Sequence, residues 1–159
     1  MDEHGRCFFE IVPMDISHIN QLVLLEAECF SEPWSEDGFT EELSNPLAVF
    51  KVAVEAETGK VIGYIGMHHI IDEGYITNIA VSKEYQRKGV AKKLMKSLFQ
   101  YGREKDMSFI SLEVRTSNLT AINFYEKSGF KTVGTRKNFY KAPTEDAHIM
   151  TVYRPMPRI

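Results

Sequence analysis

Between residues 48 and 82 the chain passes through three apolar, β-branched runs, "AVFKVAVEA", "KVIGYIGMHHI" and "GYITNIAVS", separated by only a few polar residues. Links that short cannot hold a crossover, so neighbouring runs must pair antiparallel, the first two as a hairpin around residues 57–60. The next run, "FISLEVRT", arrives only after "GVAKKLMKSLFQYGREKD". In that segment Val90, Leu94, Leu98 and Tyr101 fall on one helical stripe. A helix of this length permits a parallel crossover. The combination points to a mixed α/β sheet, mostly antiparallel with one parallel crossover, with helices packed against it.

The remaining segments complete a seven-stranded expectation. "CFFEIVPM" reads as a first strand and "DISHINQLVLLEAECF" as a helix with Asp15 at its N-cap and Ile19, Leu22, Val23 and Leu25 on its apolar stripe. A short helix capped by Ser35 stops before Pro46. After "FISLEVRT" come a short helix closed by Gly129 and two last strands, 130–140 and 147–155, joined by a loop that contains Pro143. No repeat or linker interrupts the chain, and 159 residues suit one domain, spanning 1–159, with helices on both faces of the sheet.

Charge divides along the chain. Residues 1–45 hold eleven acidic residues against Arg6 alone, whereas residues 83–115 hold nine basic and four acidic ones. Solvated helix faces account for most single charges; the separation suggests a site for a cation near the start and one for an anion near the middle. A net charge of −3 argues against general nucleic-acid binding. No apolar run approaches the ~20 residues of a membrane span. The acidic "MDEHGRCFFE" lacks the basic-then-apolar order of a secretory signal, and Cys7 and Cys29 have no metal-ligand spacing, so a reduced, cytoplasmic protein is expected.

The anion site has a specific candidate. "YQRKGVAKKL" opens the central helix with Arg87, Lys88, Lys92 and Lys93 around Gly89. Cations are unfavourable at the positive end of a helix dipole unless something negative joins them. A helix start offers free N–H groups, and a glycine lets the backbone approach a ligand. Together these make a phosphate or pyrophosphate cradle; a solvated strand-to-helix loop is the alternative. The loop lacks the second glycine and the Gly-Lys-Ser/Thr ending of a Walker loop.

"QRKGVA" resembles the Q/R-x-x-G-x-G/A loop of the GNAT acetyltransferase superfamily, and "SNLTAINFYEKSGF" resembles its N-x-x-A-x-x-x-Y-E-x-x-G-F segment. "CFSEPW", "TNIAV", "LEVRTSN" and "RKNFY…EDAHIM" are similar to the bacterial ribosomal-protein-alanine N-acetyltransferases within it. The resemblance implies a GNAT-like fold and acetyl-CoA as donor. It implies that the main chain of Arg87, Lys88, Gly89, Val90, Ala91 and Lys92 holds the pyrophosphate. The pantetheine and acetyl group would lie along Ile79, Ala80 and Val81, with Asn118 as a further contact. The implied acceptor is the N-terminal amine of a basic ribosomal protein, with no direct nucleic acid and no membrane.

Acetyl transfer to an amine needs an uncharged amine, a polarised carbonyl and a proton for the thiolate. An α-amine, with a reference pKa of ~7.7–8.0, is far easier to deprotonate than lysine. In "FISLEVR", Glu113 shares a face with Ser111 and Arg115, opposite Ile110, Leu112 and Val114. A strand between two helix crossovers is expected to be covered on both faces, so a carboxylate there is either a base or the ion-pair partner of Arg115 or a helix lysine. The resemblance makes Glu113 the proton acceptor and Tyr125 the proton donor to the thiolate; from the residues alone Tyr125 is equally a core tyrosine with one hydrogen bond. The resemblance also implies that a backbone N–H near residues 79–81 polarises the carbonyl. Direct attack needs no acyl-enzyme, and Cys7 and Cys29 read as buried, unreactive thiols.

The resemblance implies an acceptor groove flanked by the early loop and the late hairpin; Trp34, near Glu32, Glu36 and Asp37, and Phe139 and Tyr140 would suit its walls for a basic peptide. Trp34 alternatively plugs the core between two helices. His68 and His69 are adjacent on a strand, point to opposite faces and cannot chelate one metal; His4, His18 and His148 are scattered, so no metal is expected. Acetylation of a small amine or a lysine side chain is one competing function. A non-catalytic acyl-CoA-binding module is another.

Overall fold

The computed structural model describes residues 7–159. His4 and Arg6 therefore lie outside the described residues. Seven strands form one sheet in the order β1-β2-β3-β4-β5-β7-β6. They are β1 (Phe9–Pro13), β2 (Ala48–Glu55), β3 (Val61–Ile70), β4 (Glu73–Val81), β5 (Phe109–Arg115), β6 (Lys131–Lys141) and β7 (Thr144–Tyr153). The helices are α1 (Ile19–Cys29), α2 (Glu36–Ser44), α3 (Val90–Glu104) and α4 (Leu119–Ser128). Every neighbouring pair of strands is antiparallel except β4 and β5, which the α3 crossover makes parallel.

Local chemistry sets the helix ends. Asp15 caps a 3₁₀ turn, Ile16–His18, that leads into α1, so the predicted cap holds but the first turn is tighter than an α-helix. The Ser35 hydroxyl accepts the Gly38 N–H and starts α2. One stripe of α3, including Val90, Leu94, Leu98 and Phe99, is buried against the sheet with Ile62, Ile65, Ile110 and Leu112. On the other face Leu22 and Leu25 of α1 and Phe39 of α2 pack on Phe50, Val52, Tyr64 and Ala80. Full burial of each such side chain stabilises by about 1.5–3 kcal/mol. Gly66 on β3 is required there: a Cβ would lie 2.5 Å from the Phe50 ring and 2.7 Å from Thr77 Oγ1.

Two expectations need correction. The last two strands are joined by a two-residue turn at Ala142 and Pro143, not by a longer loop, because the strand ladder continues to Lys141↔Thr144. β5 is not covered on both faces. Its Ile110, Leu112 and Val114 enter the α3 core, but β7 inserts beside it and α1 and α2 pack on β2, β3 and β4, so the Glu113 face stays open.

Candidate active site

β4 and β5 pair only where Glu73, Gly74 and Tyr75 meet Phe109, Ile110 and Ser111. Beyond that point the strands part, and a cleft of about 690 Å³ opens between them. It is lined by Thr77, Asn78 and Ile79 on β4, Glu113 and Arg115 on β5, and Asn118 and Tyr125 of the α4 segment. Trp34, Phe139 and Tyr140 line it as well.

The β4 wall is main chain. Register against β3 slips between Gly66↔Asn78 and Met67↔Ile76, which makes Thr77 the extra residue of a β-bulge. The Ser82 N–H reaches Ile62 O across β3 at 2.8 Å. By antiparallel alternation, Ile79 and Val81 turn their N–H and C=O groups to the other edge, which β5 has left, while Ala80 turns its own toward β3. Val81 O accepts from Cys29 Sγ (3.5 Å) and Gln86 Nε2 (3.4 Å). The Ala80 side chain is buried on the α1 side.

The wall continues into the basic loop. α3 begins at Val90 with Gly89 in the left-handed region (φ 81°) and no side chain capping its first turn. Arg87 also takes a positive φ, 62°, a strain of order 1–3 kcal/mol for a non-glycine residue and typical of ligand loops. The loop is anchored from below: Tyr85 donates to Glu55 at 2.6 Å, and Lys60 pairs with Glu84 at 3.5 Å. That hydrogen bond, followed by burial, pushes the Tyr85 phenol up to about 12.

The β5 wall is built of side chains. Glu113 is about one-third exposed and pairs with Arg136 Nε at 3.3 Å. Its partner is thus on β6, not Arg115 or a helix lysine. Tyr125 is buried, with its ring against Phe124 and Phe130, and it borders the cleft. Burial pushes its hydroxyl pKa upward, and Tyr140 adds to the shift, so the phenol stays protonated across the working range. The Asn118 side-chain oxygen caps α4 by accepting the Ala121 N–H at 3.2 Å.

At the acceptor end, Arg115 staples the β6–β7 hairpin. It donates to Pro143 O (2.8 Å), Ala142 O (3.2 Å) and Glu145 (3.2 Å), and its guanidinium lies 4.3 Å from the Tyr140 ring centre. Ser117 foremost, then Arg115 and Thr116, hold the Glu145 carboxyl down to about 2. Burial first, then Glu113, raises Tyr140. The Trp34 ring packs 5.4 Å from Phe39 and 6.0 Å from Phe50, as a core plug would, and it also borders the cleft. Of the acidic residues near it, Glu32 lines the cleft, whereas Glu36 and Asp37 sit exposed in the first turn of α2.

The structure therefore brings Trp34, Ile79, Glu113, Asn118, Tyr125 and Tyr140 to one cleft; Ala80, Val81 and the loop at 87–92 continue the β4 side beyond it. Sequence reasoning missed Arg136 and Glu26. Glu26 is fully buried on α1, accepts hydrogen bonds from the Tyr64 hydroxyl and from Asn78 Nδ2 (2.7 Å), and has its pKa raised by burial. Cys7 and Cys29 are only half-buried, and burial raises both thiols. His68 binds Glu42 (2.8 Å) and His69 binds Tyr101 (2.7 Å), on opposite faces of the sheet. Among the described residues no His, Cys, Asp or Glu cluster is arranged to hold a metal, and no helix is long and apolar enough to cross a membrane.

The chain and its fold are similar to proteins already known. The chain matches the Acetyltransferase (GNAT) family over residues 19–130. It is 40% identical over 139 residues to the putative ribosomal protein bS18-alanine N-acetyltransferase of Bacillus subtilis, covering 87% of this chain and 89% of that one. It is 32% identical over 130 residues to the ribosomal protein bS18-alanine N-acetyltransferase of Escherichia coli, covering 80% and 86%. The crystal structure of the E. coli ribosomal-protein-S18-alanine N-acetyltransferase superposes with a TM-score of 0.84 at 27% identity, over 95% of this chain and 97% of that chain. The open β4 edge, the loop and the extent of these matches have one conclusion: the chain is an N-acetyltransferase of the GNAT family.

Proposed function

We propose that this chain transfers the acetyl group of acetyl-CoA to the N-terminal α-amine of a protein, a basic ribosomal protein beginning with alanine, in the cytoplasm. The observation that carries this is the pairing of Glu113 and Tyr125 in one cleft with the open main-chain edge of Ile79. The relatives named for bS18-alanine acetylation support the acceptor.

The residues suit the donor. The N–H groups of residues 87–92 donate to its pyrophosphate oxygens, with the Arg87 and Lys88 charges beside them. The edge groups of Ile79 and Val81 pair with its pantetheine, and the Ile79 N–H faces the thioester oxygen. The Asn118 amide, its oxygen used in capping, keeps its NH₂ for a coenzyme oxygen. Acetyl-CoA supplies the activated thioester, and this chain supplies position and proton transfer.

Glu113, directly or through a water, takes the proton that the α-amine loses as its nitrogen bonds the carbonyl carbon. The C–S bond then breaks, and the Tyr125 O–H gives its proton to the departing sulfur. A CoA thiol resembles cysteine at ~8.5. A buried phenol is thus the weaker acid: it hydrogen-bonds the sulfur as charge builds, yields its proton only as the C–S bond breaks, and regains one from solvent, to which Glu113 releases the proton it took. Trp34 and Tyr140 flank the acceptor's first residues.

Mass spectrometry after incubation with acetyl-CoA and free-N-terminus peptides tests this. Acetylation of an alanine-first peptide, abolished when its α-amine is blocked, is expected. Transfer that survives blocking would instead favour lysine or small-amine acetylation.

A further inference from the structure

Glu26 has no part in the chemistry above, yet it is a carboxylate at 0% exposure directly behind the cleft wall. A buried carboxylate persists only with partners. One of its oxygens accepts from both the Tyr64 hydroxyl and Asn78 Nδ2, and the Trp34 main-chain N–H adds to the stabilisation of the carboxylate. Asn78 thus turns its NH₂ inward, donating to that oxygen. The amide is planar, and its Oδ1 is then left for the cleft that Asn78 lines. The bulge at Thr77 sets this orientation, because both residues of a bulge project toward the same face. Glu113 projects from that face too, since its strand neighbours Leu112 and Val114 point into the α3 core.

We propose that Asn78 is an acceptor-binding residue whose Oδ1 takes a hydrogen bond from the substrate α-amine, and that Glu26 is the positioning residue that fixes its amide. This rests on the cleft being the site of α-amine acetylation. A neutral primary amine has two N–H bonds and one lone pair. Aiming the lone pair at the thioester carbon, beside Ile79, requires holding the N–H bonds. Glu113 on the β5 wall receives one hydrogen, and Asn78, the residue before Ile79, holds the other. The site therefore prefers a primary α-amine to an N-alkylated one.

The test compares wild type, Asn78→Ala and Glu26→Gln on two peptides that differ only in having alanine or N-methylalanine first. Wild type is expected to favour the primary amine. Asn78→Ala is expected to lower kcat/KM for the alanine peptide about tenfold, with unchanged acetyl-CoA KM, and to shrink the discrimination against N-methylalanine. Glu26→Gln, which lets the Asn78 amide turn over, is expected to fall between the two. Thermal denaturation with bound acetyl-CoA separates these effects from loss of fold. If wild type acetylates the alanine peptide and both variants match it in kcat/KM and in discrimination, this proposal alone is overturned. If wild type acetylates no α-amine, the proposed function falls and this proposal with it.

Discussion

The two walls of the cleft are made of different material. Along β4, the Asn78 amide aside, the groups on offer are the main-chain N–H and C=O of Ile79 and the N–H of Val81, extended by the first turn of α3. Along β5 and the hairpin they are side chains: Glu113 with Arg136, Tyr125 against Phe130, and Arg115 across the turn. Main-chain groups are set by strand pairing and helix start, so substitution reaches them only through special backbone positions. Side chains can be removed one at a time. In the proposed mechanism the first wall binds the donor and the second performs proton transfer, so mutation is expected to separate donor KM from kcat.

The largest separation is expected at Glu113. Glu113→Gln is expected to lower kcat by about 10²–10³-fold in steady-state assays, with acetyl-CoA affinity by calorimetry unchanged. Tyr125→Phe is expected to lower kcat by about 10²-fold, with its thermal midpoint preserved because ring packing on Phe124 and Phe130 survives. If either variant instead lost coenzyme binding, the division between the walls would break.

Gly89→Ala probes the opposite wall. Nothing lies within 4 Å of a Cβ at Gly89, so its cost is conformational, about 1–2 kcal/mol for the left-handed backbone. Each kcal/mol is expected to lower the thermal midpoint by about 2–4 °C, and the acetyl-CoA KM should rise with kcat little changed. A fall in kcat alone would contradict the donor assignment.

The smallest effect concerns the hairpin. The folded Glu145 carboxyl sits below its ordinary 4.5, at about 2, so its stabilising contribution is complete above pH 4.5 and is lost as pH falls toward about 2. The protection factors of residues 140–147, measured against intrinsic amide exchange at each pH, are expected to fall across that window while those of β4 hold. An equal fall in both would show that the walls do not loosen separately.

Much of this architecture was legible in the sequence because it rests on local signals. Short links imposed the antiparallel run, the Val90 to Tyr101 stripe implied the crossover, and Asp15, Ser35 and Gly129 marked helix ends. Glu113, Asn118 and Tyr125 were nameable from strand parity and from resemblance, and they do share one cleft. What escaped depends on distant pairing. The Arg136–Glu113 pair requires β7 to lie between β5 and β6, which no local pattern encodes. The Thr77 bulge carries no glycine or proline to betray it. Glu26 looked like one more solvated helix acid until Tyr64 and Asn78, 38 and 52 residues away, came to it. Pro143 suggested a loop, yet strand pairing runs up to the turn that contains it.

A crystal structure with acetyl-CoA bound tests the central claim most directly. The pyrophosphate is expected on the N–H groups of residues 87–92 and the thioester between Ile79 and Glu113, in the gap where β4 leaves β5. A coenzyme seated anywhere else on the molecule, or a thioester facing away from Glu113, would contradict it.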